Sequence, residues 1–402
     1  MSHSFYYNMI HRKYNFDRVH DRRGTDATQI EELEEKYGRS DLLPLWIADM
    51  DFPVSPAITA ALESRARQRV LGYTYAPASF WDSITGWLRR RHGWDVKREE
   101  TDYVPGVKKG IGLAVLHFSR PGDKIVIQPP VYHSFRSIVS GYGRTVLDNP
   151  LVCRNGKYGM DLDGLERICA AERPKMLIVC NPHNPIGVQW NAATLAAAAD
   201  ICRRYGMVLL SDEIYGDLVL AGGRHYPTAS VSDAAREVTV TIGAPSKSFN
   251  IPGLACAWTV VHNKALRDGF FDFLLTSEFD TAPVFAVSAM QAAYAGSEDW
   301  LDEALEYICA NASFAMDKLS EIEGVKAYMP DAGFGLWIDF RGLGLSHDAL
   351  VSLLVDGAKV AMSDGVTFGA GGEGFMRMNI GVPRSVLAEG IGRIADAVNK
   401  SR

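Results

Sequence analysis

A chain of 402 residues with 47% hydrophobic content has enough apolar surface to bury two or three domains. Its formal net charge of −6 and pI near 6.0 give no basic footprint for nucleic acid, and Arg89, Arg90 and Arg91 read as a solvated helix end. No apolar run reaches membrane-spanning length, the N-terminus lacks the apolar stretch of a secretory signal, and six cysteines without a C-x-x-C pair argue against zinc or a disulfide framework. The expected setting is the cytoplasm and the expected partner a small charged metabolite.

The N-terminal stretch, through FDRVHDRRGTDATQIEELEEKYG and LPLWIADMDFPVSP, mixes charged, aromatic and proline residues without periodicity and reads as an arm followed by a loop. Asp49 and Asp51 there fit either an Asx turn leading to Pro53 or a place in a site. Ser55 as N-cap with Pro56 at the first helical position opens a helix, and a second amphipathic helix runs from Phe80 to His92. Tyr73 and Tyr75 lie on the loop between them, as packing aromatics or as functional ones. A glycine-rich turn at Gly106 then leads into a helix from Lys109 to Phe118.

Beyond it the chain alternates strand and helix. KMLIVC ends at Asn181, MVLLS ends at Asp212, and the β-branched run Val238 to Ile242 breaks into small residues just before Lys247. The intervals of 31 and 35 residues each suit one strand-helix-strand unit, which places the three polar residues side by side on one edge of a parallel sheet. From about residue 290 the pattern turns helical, then shows strands near GLWIDF and GFMRMNI. This is expected to be a second domain, completed by the N-terminal arm.

A lysine, an aspartate and an asparagine on one edge, beside a glycine-rich helix start, suit a cofactor with an aldehyde, a ring nitrogen and a phosphate. Pyridoxal 5'-phosphate has all three. Lys247 would bond the aldehyde carbon and Asp212 would pair with the ring nitrogen. Asn181 and Tyr215 could reach the ring oxygen. The helix after Gly106, with Val107, Lys108 and Lys109, would hold the phosphate through its free N–H groups, and Ser246 could add a bond. Tyr132 is either a stacking ring or core. Strand alternation sets Arg377 beside Phe375 and Asn379, either to grip a carboxylate or to form a structural ion pair.

The motifs NPHNPIG, SDEIYGDL, APSKSFNIPGL and RMNIGVPR, in that order and spacing, resemble the fold-type I pyridoxal-phosphate enzymes of the class I/II aminotransferase superfamily. DRRGTDA, LPLWIADMDFP, QPPVYHSF and AYAGSEDWLDEALEYICAN look like its MalY/PatB-type cystathionine β-lyase branch. The resemblance implies a homodimer with active sites at the subunit interface. It also implies an α/β fold: an arm (1–55) joining the small domain, a large cofactor-binding domain (56–288) with a mostly parallel seven-stranded sheet flanked by helices, and a smaller α+β domain (289–402). Lys247 is then the Schiff-base lysine, Asp212 the ring-nitrogen partner, and Asn181 and Tyr215 the ring-oxygen contacts. Tyr132 stacks, Val107, Lys108 and Ser246 hold phosphate, Arg377 binds the substrate carboxylate, and Tyr73 reaches the neighbouring subunit's site. The arginine that many relatives place eight residues after the lysine is Ala255 here. The implied reaction is β-elimination from an S-substituted L-cysteine; an aminotransferase and a cofactor-bearing regulatory protein remain as alternatives.

Overall fold

The computed structural model describes residues 13–154 and 156–401. The first twelve residues, on which the absence of a secretory signal was read, lie outside them. The strands in chain order are β1 (Leu43–Leu45), β2 (Thr101–Val104), β3 (Lys124–Ile127), β4 (Thr145–Asp148), β5 (Val152–Arg154), β6 (Lys157–Gly159), β7 (Met176–Cys180), β8 (Val208–Asp212), β9 (Thr239–Gly243), β10 (Ala257–Val261), β11 (Lys326–Ala327), β12 (Gly335–Asp339), β13 (Val360–Asp364) and β14 (Phe375–Asn379).

Seven of them form a sheet in the order β2-β10-β9-β8-β7-β3-β4. Only β10 runs against its neighbours. Both faces are covered, as an α/β sheet with helical crossovers requires. Ile125, Ile178 and Leu210 pack on one face with the helices Val107–Phe118 and Lys264–Thr276. Val126, Leu177, Val179 and Leu209 pack on the other with Leu162–Glu172 and Ala192–Arg204. This period-2 alternation also sorts the polar residues at the strand ends: Asp212 shares the face of Leu210, while Ser211 and Glu213 belong to the opposite one.

Helix Val107–Phe118 lies very close to the sheet. A Cβ at Gly110 would sit 2.9 Å from Val104 Cγ2 and 3.2 Å from Ile242 Cδ1, so only glycine lets the helix this near. The approach aims its N-terminus at the carboxyl ends of β7, β8 and β9.

The second sheet has the order β1-β13-β14-β12-β11. Its outer strand β1 comes from the N-terminal stretch and pairs in parallel with β13. Met376 and Met378 of β14 enter the core against the long helix Glu298–Ser320, which leaves Phe375, Arg377 and Asn379 on the other face.

Several boundaries differ from the expectation. The helix expected from Lys109 begins at Val107, and the one expected from Phe80 begins at Ala78. Val238 closes a helix, Asp233–Val238, rather than opening the strand. Pro56 does start its helix, but Ser55 makes no side-chain cap bond and its hydroxyl is buried without a partner. Helix Val284–Gly296 runs through the boundary expected at 288–289.

Candidate active site

The carboxyl ends of the parallel strands open into a cleft of about 750 Å³. Val107, Lys108, Tyr132, Asp212, Tyr215, Lys247 and Arg377 all line it, so seven of the residues singled out in the sequence converge. Cys180, Asp212 and Ile242 are aligned in register on β7, β8 and β9, and this alignment brings the strand ends together. Lys247 rides on a short helix, Pro245–Ser248, just beyond β9.

Lys247 is half-buried, and its Nζ donates to Ala48 O from the loop after β1. Burial lowers its pKa to about 8, with Arg377 pushing the same way and Asp49 and Asp212 opposing. An amine in this state is a competent nucleophile and base near neutral pH. Asp212 is lifted to about 7, chiefly by burial, against one hydrogen bond at 3.1 Å from Ile214 N–H. Among the described residues it has no ion pair, and a cationic ring nitrogen would relieve its desolvated charge.

Arg377 stands opposite Trp337 in the β12–β14 register, and its side chain passes over Gly335 of β12, where a Cβ would lie 2.9 Å from Arg377 Cδ. Its guanidinium donates to Asn184 Oδ1 at 2.9 Å, Trp46 O at 3.0 Å and Ser363 Oγ at 2.9 Å. Every one of these acceptors is neutral. The structural ion pair considered from the sequence is therefore absent among the described residues, and a buried cation without a counterion fits the carboxylate of a bound amino acid.

At the N-terminus of helix Val107–Phe118, Gly110 N–H is the first to find an intrahelical acceptor, at Gly106 O. The amides of Val107, Lys108 and Lys109 have no acceptor among the described residues, which makes this helix start an anion cradle. Tyr132 supplies a ring on the adjacent wall.

Three of the expected residues stand elsewhere. Asn181 does not line the cleft. Its Nδ2 donates to Tyr226 O at 2.9 Å and Thr228 Oγ1 at 3.1 Å, because the strand-end backbone turns its side chain into the sheet's other layer. The asparagine that lines the cleft is Asn184, three positions on, whose amide nitrogen has no acceptor among the described residues while its oxygen takes Arg377. Ser246 is buried behind the wall. Tyr73 is fully exposed, far from contributing to its own chain's cleft.

The sequence reading also missed Trp46, Ile47, Ala48 and His133 in the lining. The His133 imidazole is held neutral, its pKa lowered to about 4 by burial and by Arg377, Lys108 and Lys36. Asp49 and Asp51 form neither Asx turn nor lining: each accepts from Arg22 at 3.0 Å, and this clamp fixes the loop that presents Ala48 O to Lys247. Arg22 belongs to the DRRGTDA motif, whose charge pattern offered a signal for such a clamp.

Residues 40–394 match the family model for aminotransferase class I and II. The chain is 39% identical over 386 residues to cystathionine β-lyase PatB of Bacillus subtilis, covering 96% of this chain and 100% of that one. To Protein MalY of Escherichia coli it is 32% identical, covering 97% and 100%. Among solved structures, cystalysin from Treponema denticola, which contains a pyridoxal 5'-phosphate cofactor, superposes with a TM-score of 0.93 at 28% identity over 97% of this chain and 100% of that one. The PLP-bound C-S lyase from Staphylococcus hominis gives 0.88 at 29% identity over 96% and 99%.

Proposed function

The chain belongs to the class I and II aminotransferase family, and from that premise we propose that it is a pyridoxal-phosphate-dependent carbon–sulfur β-lyase. The observation that carries this is the convergence of an amine with a lowered pKa, a desolvated carboxylate and an unpaired guanidinium in one cleft, in a chain whose full-length relatives are named cystathionine β-lyase. The cofactor, when bound, supplies an electron sink for the pair released at the substrate Cα.

The chain's own residues do the rest. Asp212 would pair with the ring nitrogen, the amides of Val107 and Lys108 would hold the phosphate, Tyr132 would offer the ring a stacking face, and Asn184 and Tyr215 would hold its oxygen. Arg377 fixes the substrate α-carboxylate with two parallel bonds, which orients the Cα–H bond toward Lys247. Lys247 Nζ would hold the cofactor until the substrate's amine takes its place and, once freed, would be the base that removes the Cα proton. The Cβ–S bond then breaks, the thiolate leaves, and water consumes the remaining three-carbon fragment as pyruvate and ammonia.

The same reading makes the protein a cytoplasmic homodimer with an N-terminal arm, a cofactor domain, and a small domain that begins beyond helix Val284–Gly296 rather than at 289. Six unpaired cysteines fit a reducing compartment. The exposed Val70, Leu71, Tyr73 and Tyr75 form an apolar loop suited to a second copy of the chain, with Tyr73 entering the partner's cleft.

The test is the purified protein with L-cystathionine and no 2-oxo acid. Thiol and pyruvate should appear together in equal amounts. Amino-group transfer to an added 2-oxo acid, with no thiol released, would instead make it an aminotransferase.

A further inference from the structure

Behind the cleft lies a buried polar chain that none of these steps uses. Asp217, on the turn after β8, has a side chain only 9% exposed and accepts three hydrogen bonds. They come from Trp87 Nε1 at 2.9 Å, His92 Nε2 at 2.7 Å and Ser248 Oγ at 2.9 Å. Burial works against its charge, but the bonds from His92, Trp87 and Ser248 more than offset this and hold the carboxyl below its usual range.

Ser248 adjoins Lys247 on Pro245–Ser248, a helix of four residues with no side-chain cap at its N-terminus. Its backbone is tied at its end by Phe249 N to Pro245 O and Ile251 N to Ser246 O, each at 2.9 Å. Beside the bond from Lys247 Nζ to Ala48 O, the Ser248–Asp217 bond tethers the element that carries the lysine and does not involve the lysine's own amine.

A matching anchor sits beside Asp212. Glu213 accepts from Thr228 N at 2.8 Å, Ser211 Oγ at 2.9 Å and His225 Nε2 at 2.9 Å. The two anchors meet where the rings of His92 and His225 pack edge to face, with centroids 5.1 Å apart. Each of the two groups that would handle protons in the cleft therefore has a sequence neighbour tied to one buried network.

We propose that Asp217 is a positioning residue: through Ser248 it fixes where Lys247 Nζ sits, and the His92–His225 contact keeps that position in register with Asp212. The inference rests on Lys247 being the cofactor's lysine. Loosening the tether displaces the base from Cα without touching Arg377 on the opposite wall, so it should lower kcat and spare KM. It should also move the pH midpoint of the bound cofactor's visible absorption, since Lys247 would shift relative to Asp49, Asp212 and Arg377, the charged groups that act on it.

The experiment compares holoenzyme with Ser248→Ala, Asp217→Asn and the combined variant, reading kcat and KM for cystathionine and that midpoint. Ser248→Ala should lower kcat about tenfold with KM about unchanged and a displaced midpoint, and Asp217→Asn should do at least as much. The combined variant should be no slower than Asp217→Asn, because both act along one route. If Asp217→Asn does not fold, Ser248→Ala alone decides. Parental kcat and midpoint in Ser248→Ala would overturn the inference, as would losses that multiply in the combined variant. A parent protein with no pH-dependent cofactor absorption would overturn the assignment of Lys247 as well, which separates the two failures.

Discussion

One wall of the cleft is the carboxyl edge of β7, β8 and β9; the facing wall is assembled from the 46–48 loop, β13 and β14. On the first wall, neighbouring strands share a register that fixes Asp212 against Cys180 and Ile242, and Asp212 takes its hydrogen bond from Ile214 two positions on. On the second, Arg377 is held by Ser363, its register partner on β13, by Trp46 O, 331 positions away, and by Asn184 from the turn after β7. The rigid sheet edge carries the groups that would meet the cofactor, and the composite wall carries the group that would meet the substrate. Substitutions on the first should therefore damage chemistry, and substitutions on the second should damage affinity.

Asp212→Asn should sharpen this contrast most. An amide cannot hold the ring-nitrogen proton electrostatically, so kcat should fall roughly 10²- to 10³-fold with little change in KM, as measured by steady-state elimination. Arg377→Ala on the composite wall should do the reverse, raising KM about 30-fold through loss of a bidentate charge-assisted contact. A kcat loss as large as that of Asp212→Asn would break the division between the walls.

The two asparagines offer a finer comparison. Asn184→Ala should cut turnover about tenfold, whereas Asn181→Ala should leave the turnover of folded molecules intact and cost about 1–3 kcal/mol of stability, read by denaturant unfolding. The smallest effect is a pH dependence. In the cofactor-free chain the reactive form of Lys247 is the neutral amine, and with a pKa of about 8 its population rises as pH rises. The rate of cofactor capture should grow about fivefold from pH 7 to pH 8 and flatten above.

The two walls were also unequally legible from sequence. β-branched strands at regular intervals announce a parallel sheet, and a parallel sheet dictates that Asp212 and Lys247 converge at its carboxyl edge. The same rule misplaced Asn181: a residue just past a strand can face either layer, and the turn after β7 delivers Asn184 to the cleft instead. Trp46, Ala48 and the Arg22 clamp on Asp49 and Asp51 carry no periodic signal, because their positions depend on contacts between distant segments. Arg377 was legible as a cation on one face of a strand. Its lack of a counterion was not, since that depends on which distant groups reach it.

Lys247 is the proposed point of covalent attachment, and every other role in the cleft depends on it. Reducing the pyridoxal-phosphate-loaded protein with borohydride and mapping its peptides should place the cofactor's mass on the segment holding Lys247, with none retained by Lys247→Ala. A reduced adduct on Lys108, or an unmodified Lys247 in protein that still turns over cystathionine, would contradict it.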